Sequence, residues 1–233
     1  MLTAETLKAE LLSRANPERA LALQRFFKTG PGQYAEGDLF LGLTVPEQRE
    51  IAGRYRTLPP EEAAKLLHEP YHECRLTALI IWTLQAKKAG EAGRKQLFDL
   101  YLENRQYVNN WDLVDVTCPE IIGVYLLNKD RQVLDELAAQ NHLWSQRMAM
   151  VSTLAFIRKG QFGDTFRIAE QLLGHKHDLI HKAVGWMLRE VGKKNPEALE
   201  EFLHDQAGKL PRTALRYAIE RFDPARRTYY LNL

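Results

Sequence analysis

One short segment of the sequence combines an indole with carboxylates at helical spacing. The segment 109–119 opens with two asparagines, and a side-chain amide oxygen there can accept an orphan backbone N–H at a helix start. Trp111 and Asp115 then stand four residues apart on one helical face. Because Pro119 cannot donate a hydrogen bond to the Asp115 carbonyl, the helix should bend there. A carboxylate beside an indole at such a bend is suited to stabilising a positive charge that develops during a reaction.

Asp112 and Asp115 form a second chemical pattern within that segment. They stand three residues apart and can share a face, as a carboxylate pair for acid–base chemistry would. Asp112 also lies near the predicted helix start, where a negative charge complements the helix dipole, so we expect it to be mainly structural. For Asp115 alone, the residue pattern is equally compatible with a catalytic role and with an ion pair to an arginine.

A cationic and aromatic stripe lies later in the chain. At positions i, i+4, i+7 and i+11 of one predicted helix stand Lys182, Trp186, Arg189 and Lys193. Such a stripe suits a nucleic-acid backbone, because the charges neutralise phosphates and the ring packs on sugar or base. The alternative is a solvated basic face with a half-buried tryptophan. Trp144 and Arg147 repeat the pairing at i, i+3, whereas Trp82 lies in an apolar run and should belong to the core.

The elements that must position these residues are helices. Apolar residues recur at spacings of three and four, and alternating strand patterns are nearly absent. Four similar helix starts are separated by 36, 36 and 35 residues, at Arg75, Trp111, Arg147 and Lys182. A period near 40 with two helices per unit is typical of HEAT-type solenoids. We therefore predict an all-α solenoid of HEAT-like repeats, one domain over residues 1–233, with these four residues along a concave basic groove.

The segment 29–38 is the exception to the helical pattern. Three glycines and a proline predict a loop. Gly-rich backbone can approach a phosphate closely, but the lysine and the Ser/Thr of a nucleotide-binding P-loop are missing. A plain surface loop is the favoured interpretation.

Composition limits the possible classes of function. The 233 residues are 45% hydrophobic and 27% charged, as in ordinary soluble globular proteins, and the formal net charge of +2 is too small to indicate a nucleic-acid binder by itself. No apolar run approaches the roughly 18–20 residues of a membrane span, and the start of the sequence does not resemble a secretory signal. Cys74 and Cys118 have no zinc-type spacing, and His175 and His177 have no third ligand nearby. We expect reduced thiols, no metal and a cytoplasmic protein.

Three blocks of residues resemble a known family. At 111–115 the chain reads Trp-Asp-Leu-Val-Asp, at 143–147 Leu-Trp-Ser-Gln-Arg, and at 183–190 Ala-Val-Gly-Trp-Met-Leu-Arg-Glu. In this order and at this separation, the blocks resemble the AlkD-type alkylpurine DNA glycosylases, or DNA alkylation repair enzymes, over nearly the whole chain. The resemblance implies a HEAT-like solenoid that hydrolyses the N-glycosidic bond of alkylated purines such as 3-methyladenine and 7-methylguanine. It further implies an abasic product, no cofactor or metal, and no need for a base-flipping pocket.

The resemblance also assigns roles to residues. Asp115 matches the catalytic carboxylate, and Trp111 and Trp186 match the aromatic residues that pack against the damaged nucleotide. Phe26 falls where the family pattern has a tyrosine, so ring packing is kept there without the hydroxyl. The loop 30–38 is longer than in the best-known form of the family. The family match, the cationic stripe and the row of repeated helix starts together predict five DNA contacts. These are Arg75, Arg147, Lys182, Arg189 and Lys193.

The expected partner is double-stranded DNA that contains alkylated bases, bound by a monomer that associates with the nucleoid. Two alternatives remain open on the sequence. A HEAT-repeat protein could recognise a DNA structure without cleaving it, in which case loss of the Asp115 charge would leave its function intact. A protein-interaction solenoid would instead have a groove with an apolar or mixed-charge lining.

Overall fold

The helical fold class is confirmed by the computed structural model, which describes residues 2–233. Within this range the chain is helices and connections, the longest of which covers residues 27–44, and its single β-type pairing is an isolated bridge between Leu39 and Tyr71. The chain divides into two compact units, of which the first ends at Ile121 and the second comprises Ile122–Leu233. That residues 1–233 behave as one domain stays a prediction.

The first unit is built around one long buried helix. Its helices are α1 (Ala4–Ser13), α2 (Pro17–Phe26), α3 (Val45–Arg54), α4 (Pro60–Leu67), α5 (His72–Lys88), α6 (Glu91–Glu103) and α7 (Trp111–Cys118). Helix α5 packs against α3, α4 and α7, and nearly all of its residues from His72 to Thr83 are buried. Trp82 is completely buried there and donates a hydrogen bond to the Pro60 carbonyl, which confirms the prediction that it belongs to the core.

The second unit has the same pairwise packing of helices. Its helices are α8 (Gln132–Ala139), α9 (Leu143–Ser152), α10 (Leu154–Ile157), α11 (Gly163–Gln171), α12 (Asp178–Lys194), α13 (Pro196–Gln206), α14 (Arg212–Ala218) and α15 (Pro224–Leu231). Helix α12 packs against α9, α13 and α14. Its close approach to α14 requires Gly185, because a Cβ atom there would lie 2.4 Å from the Ala214 carbonyl oxygen.

Helix α7 has the start and the end that its sequence predicts. The buried Asn110 caps it, since the side-chain oxygen accepts the Trp111 backbone N–H at 2.8 Å. Regular α-helix stops at Cys118, and a π-helical turn, Pro119–Gly123, follows. The missing N–H of Pro119 accounts for the end of regular α-helix, which places Asp115 in the last full turn of α7. A bend of the helix there stays a prediction.

Candidate functional site

Helices α2 and α7 bring together two of the predicted lesion-binding residues. The Trp111 ring lies 6.1 Å from the Phe26 ring, edge to face at 68°, and 5.3 Å from the Phe27 ring at 23°. Phe26 is the last residue of α2 and is 64% exposed. A large aromatic side chain this exposed, next to a half-buried indole, forms a surface on which a planar group can pack.

A pocket of about 440 Å³ opens beside these rings, between α2, α3, α5, α7 and the segment 40–44. Its aromatic wall consists of Phe26, Phe27, Phe40 and Trp111, and three ionisable residues of α5 and α7 also line it, namely His72, Glu73 and Asp112. Lysine and arginine are absent from the described residues that form the lining. The pocket is thus mainly apolar and aromatic, and its ionisable lining residues come from α5 and α7.

His72 links two carboxylates beneath the pocket. The ring is 2% exposed, with Nε2 at 2.8 Å from Asp112 Oδ2 and Nδ1 at 3.3 Å from Asp38 Oδ2. Burial by itself lowers the pKa of His72, but the charge and hydrogen bond of Asp112, with the hydrogen bond of Asp38, outweigh it and raise the pKa to about 9. At neutral pH the ring is therefore an imidazolium that donates to both carboxylates.

Arg75 completes this buried network from the other side of Asp38. It is 4% exposed, and its guanidinium donates to Asp38 Oδ1 and, at 2.9 Å, to the Glu69 carbonyl. Burial opposes ionisation of Asp38, yet the hydrogen bond from His72 and the charge of Arg75 hold the pKa of that carboxyl below its usual value. The Arg75 charge is thus enclosed and paired within the first unit, and its contact with DNA stays a prediction.

Glu73 fixes the segment that carries Phe40. Its buried carboxylate accepts the backbone N–H groups of Leu41, Gly42 and Leu43 at 2.9, 2.8 and 3.2 Å. Gly42 has φ +90°, and a Cβ atom there would lie 2.1 Å from the Asn16 carbonyl oxygen, so only glycine lets this segment pass close to the start of α2. Glu73 and Gly42 together set the position of the Phe40 ring.

The glycine-rich loop contributes two residues that the sequence did not single out. It is a largely exposed loop, as predicted, and Asp38 at its end forms the buried pairs with His72 and Arg75. Within the loop, the Tyr34 hydroxyl lies 3.3 Å from Trp111 Nε1, which donates to it. A hydroxyl therefore reaches this site from the loop, although Phe26 itself has none.

Asp115 lies one helical turn beyond Trp111 in α7 and is partly exposed. The pKa of the buried Tyr101 is raised by burial, next by Cys118 and to a smaller extent by the Asp115 charge. Asp112 is more deeply buried than Asp115 and is paired with His72, which is the kind of structural role expected of it. The catalytic role of Asp115 stays a prediction.

In the second unit, the predicted stripe lies off the buried face of α12. Every cation in it has an acidic neighbour, the pairs being Lys182–Asp178 at 2.8 Å, Lys193–Glu190 at 2.6 Å and Arg189–Glu220. Trp186 Nε1 also donates to Glu190 at 3.2 Å. The stripe is therefore a mixed-charge surface rather than a line of free cations. The exposed pair Lys182–Asp178 contributes only about 0–1 kcal/mol, so a phosphate can compete with Asp178 for Lys182.

A second cavity, of about 350 Å³, lies beside Trp186 and has a basic rim. Arg158, Lys193 and Lys194 line it together with Trp186 and Glu190. Three cations around one indole and one carboxylate leave this part of the second unit positive. Among the surfaces described for this unit, this cavity best combines cations that could neutralise phosphates with a ring that could pack on a nucleotide.

Arg147 and Trp144 do not present the exposed pairing that their spacing suggested. They are 5% and 6% exposed in α9, and the Arg147 guanidinium donates to the Leu179 carbonyl. An arginine so enclosed has little surface to offer to a phosphate. Arg147 thus holds a buried, hydrogen-bonded position, and its contact with DNA stays a prediction.

Across residues 2–233, no three His, Cys, Asp or Glu side chains are grouped so that they could hold a metal ion. Over the same range, none of the helices has the length and apolar character needed to cross a bilayer.

Comparisons with known proteins agree with this fold. The family model described as DNA alkylation repair enzyme matches residues 7–222. Among solved structures, a predicted DNA alkylation repair enzyme from Enterococcus faecalis superposes with a TM-score of 0.70 at 18% sequence identity. The alignment covers 90% of this chain and 97% of that one, which at this identity shows a shared fold. A search of curated proteins gives no significant match.

Proposed function

The chain belongs to the DNA alkylation repair enzyme family, and from this premise we propose that it is a glycosylase that releases alkylated, cationic purines from double-stranded DNA. A role in DNA repair follows from the family itself. The finer proposal names the reaction: hydrolysis of the N-glycosidic bond of lesions such as 3-methyladenine and 7-methylguanine, which leaves an abasic site.

One observation supports this reaction most strongly. Trp111, whose ring is in contact with the exposed Phe26, begins the helix that carries Asp115 one turn later. Aromatic faces and a partly exposed carboxylate on neighbouring turns suit a reaction centre that becomes positively charged.

The proposed hydrolysis requires few catalytic groups from the protein. An alkylated purine already carries positive charge and is a good leaving group, so a general acid at the base is unnecessary. The sugar passes through an oxocarbenium-like state, which a carboxylate at Asp115 would stabilise while it orients the attacking water. This mechanism uses no cofactor and forms no covalent intermediate with a lysine, which defines a monofunctional glycosylase.

DNA binding is proposed for the second unit. Lys182, Arg189 and Lys193 would exchange their acidic partners for phosphates, and Trp186 would pack against the nucleotide. The proposal includes a monomer that acts in the cytoplasm and associates with the nucleoid when bound to DNA.

A second candidate is supported by a specific observation. The mixed-charge pairs along α12 are the lining that a protein-interaction solenoid would present. Family membership favours DNA as the partner, but it leaves open a member that binds a DNA structure without cleaving it.

The discriminating experiment incubates the protein with duplex DNA that contains 7-methylguanine and measures free base and abasic sites over time. We expect both to appear in equal amounts and without added metal. Tight DNA binding with no base release would favour the non-catalytic alternative, and absence of both would favour a protein partner.

A further inference from the structure

We propose that a pocket in the last part of the second unit binds a carboxylate that is attached to an apolar group. The pocket has a volume of about 320 Å³ and lies between α12, α13, α14 and α15. Arg189, Arg221 and Arg226 line it, and we refer to it as the arginine pocket. Helix α15 lies beyond residues 7–222, which the family model matches. Carboxylate binding here would be independent of the proposed glycosylase reaction.

The lining of the arginine pocket is positively charged. Its three arginines face one acidic residue among the described lining residues, Asp223, so three positive charges and one negative charge give +2. Arg221 is exposed, and its side chain has no hydrogen-bond or ion-pair partner among residues 2–233. The acidic partners of the other two arginines outside the lining, Glu220 and Glu200, are 48% and 35% exposed, so water screens their charges. An anion in the pocket would therefore be attracted.

Arg189 has a buried donor that lacks an acceptor. Its guanidinium donates to Glu220 through Nη1, but its Nε–H is buried and has no hydrogen-bond acceptor among the described residues. A buried donor without an acceptor is unfavourable, and an oxygen of a ligand would relieve that cost. A carboxylate suits a guanidinium especially well, because its two oxygens can accept two parallel N–H bonds. This donor favours an oxyanion as the ligand.

The most buried part of the lining is apolar. Leu199 and Ala218 are each 1% exposed, and the partly buried Phe222 ring packs at 5.7 Å from the Tyr230 ring. These side chains offer no hydrogen bond to further oxygens, but they can remove a hydrocarbon group from water. A phosphate in duplex DNA has sugars on both sides and would leave this apolar part unused. The pocket therefore fits a carboxylate with an apolar body, as found in a free carboxylic acid or at the end of a peptide chain.

The first test compares three probes by isothermal titration calorimetry of the full chain: 1-naphthoate, its neutral analogue 1-naphthamide, and inorganic phosphate. We expect 1-naphthoate to bind about tenfold more tightly than 1-naphthamide, because hydrogen bonds to charged groups are stronger by about that factor. Phosphate should bind more weakly than 1-naphthoate, since it cannot use the apolar part of the pocket. Equal binding of the acid and the amide, or tighter binding of phosphate, would overturn the proposal.

Variants at exposed positions show whether 1-naphthoate occupies the arginine pocket. Arg221→Gln should weaken its binding about tenfold, whereas Arg216→Gln, at an exposed arginine of α14 outside the lining, should leave it unchanged. Asp223→Asn should tighten binding, because it removes a repelling charge from the lining while asparagine still caps the start of α15. Unchanged binding in both Arg221→Gln and Asp223→Asn would overturn the proposal.

A peptide distinguishes the two sources of the carboxylate. The probe is an N-acetylated tetrapeptide that ends in leucine, prepared with a free terminal carboxylate and with a terminal amide. Tighter binding of the free-ended form than of 1-naphthoate, lost in the amide and weakened by Arg221→Gln, would identify the end of a protein chain as the ligand. Binding of 1-naphthoate without binding of the peptide would identify a free small acid. Both results support a carboxylate site, and failure of both carboxylates to bind would overturn it.

Discussion

Removal of the His72 imidazolium should change how the stability of the protein depends on pH. The ring is fully enclosed between Asp38 and Asp112, with Arg75 behind Asp38, and its pKa is raised from the usual 6.5 to about 9 in the folded state. Below pH 6.5 both folded and unfolded chains hold this proton, so its contribution to stability is fully present. As pH rises through about 9 the folded state loses the proton, and the contribution is lost.

The magnitude follows from the two pKa values. At about 1.36 kcal/mol for each pH unit between them, His72 protonation contributes about 3 kcal/mol to the free energy of unfolding. Wild-type protein should therefore lose about 3 kcal/mol between pH 6 and pH 9.5 that a His72→Gln variant does not lose. The variant itself should be less stable at pH 6, because the glutamine leaves Asp38 and Asp112 without their shared cation.

The assay is urea unfolding at several pH values between 6 and 9.5 for both proteins, with His204→Gln as the matched control. His204 is exposed at the end of α13, so its variant should follow the wild-type curve. When the free energies of unfolding of wild type and His72→Gln are subtracted at each pH, the contributions from titrating lysines and tyrosines cancel. Parallel curves for these two proteins would refute the reasoning, since they would mean that His72 is neutral between its two carboxylates.

Three further predictions concern packing, DNA binding and lesion charge. Gly185→Ala should lower the free energy of unfolding by about 1–3 kcal/mol, because its Cβ would meet the Ala214 carbonyl of α14. Gly174→Ala, which has open space around the added Cβ, should leave the stability unchanged, and thermal unfolding measures both variants. The triple variant Lys182→Gln, Arg189→Gln and Lys193→Gln should flatten the dependence of DNA affinity on salt concentration by about one counterion per lost phosphate contact. An unchanged slope would mean that DNA binds elsewhere. Release of 7-methylguanine should be far faster than release of uracil or hypoxanthine, since the proposed mechanism lacks an acid for neutral bases; equal rates in single-turnover assays would contradict it.

Local features of the sequence were sufficient to predict the helical fold class and several helix boundaries. Helix starts such as Asn110 and the break at Pro119 follow from capping and from the missing proline N–H, which are local effects. The family resemblance assigned Phe26 and Trp111 separately to the lesion, and the contact between their rings is a long-range feature that only the structure shows.

The buried network of Asp38, His72 and Arg75 could not be predicted from the sequence, for a physical reason. Asp38 pairs with Arg75 across 37 residues and with His72 across 34, and it comes from a loop in which no periodicity constrains its position. The repeat pattern predicts an exposed Arg75, because helical spacing shows which residues share a face but not what covers that face. Without Asp38, the sequence offered no reason to bury this charge.

The acidic partners of α12 were partly visible in the sequence. Asp178 and Glu190 stand four and three residues before Lys182 and Lys193, at the spacing that pairs side chains on a helix. Only the pairing of Arg189 with Glu220, which lies outside α12, could not be predicted without the fold. An inventory of acids on the same face would have predicted a mixed-charge stripe.

The central claim is that the Asp115 carboxylate stabilises the sugar cation during base release. Its most direct test is single-turnover excision of 7-methylguanine by wild type and by Asp115→Asn, with the exposed Asp99→Asn of α6 as the matched control and DNA affinity measured alongside. Asp115→Asn should slow excision at least about tenfold, equivalent to about 1.4 kcal/mol of barrier, while DNA affinity and the rate of Asp99→Asn stay at wild-type values. Excision by Asp115→Asn at the wild-type rate would contradict the claim.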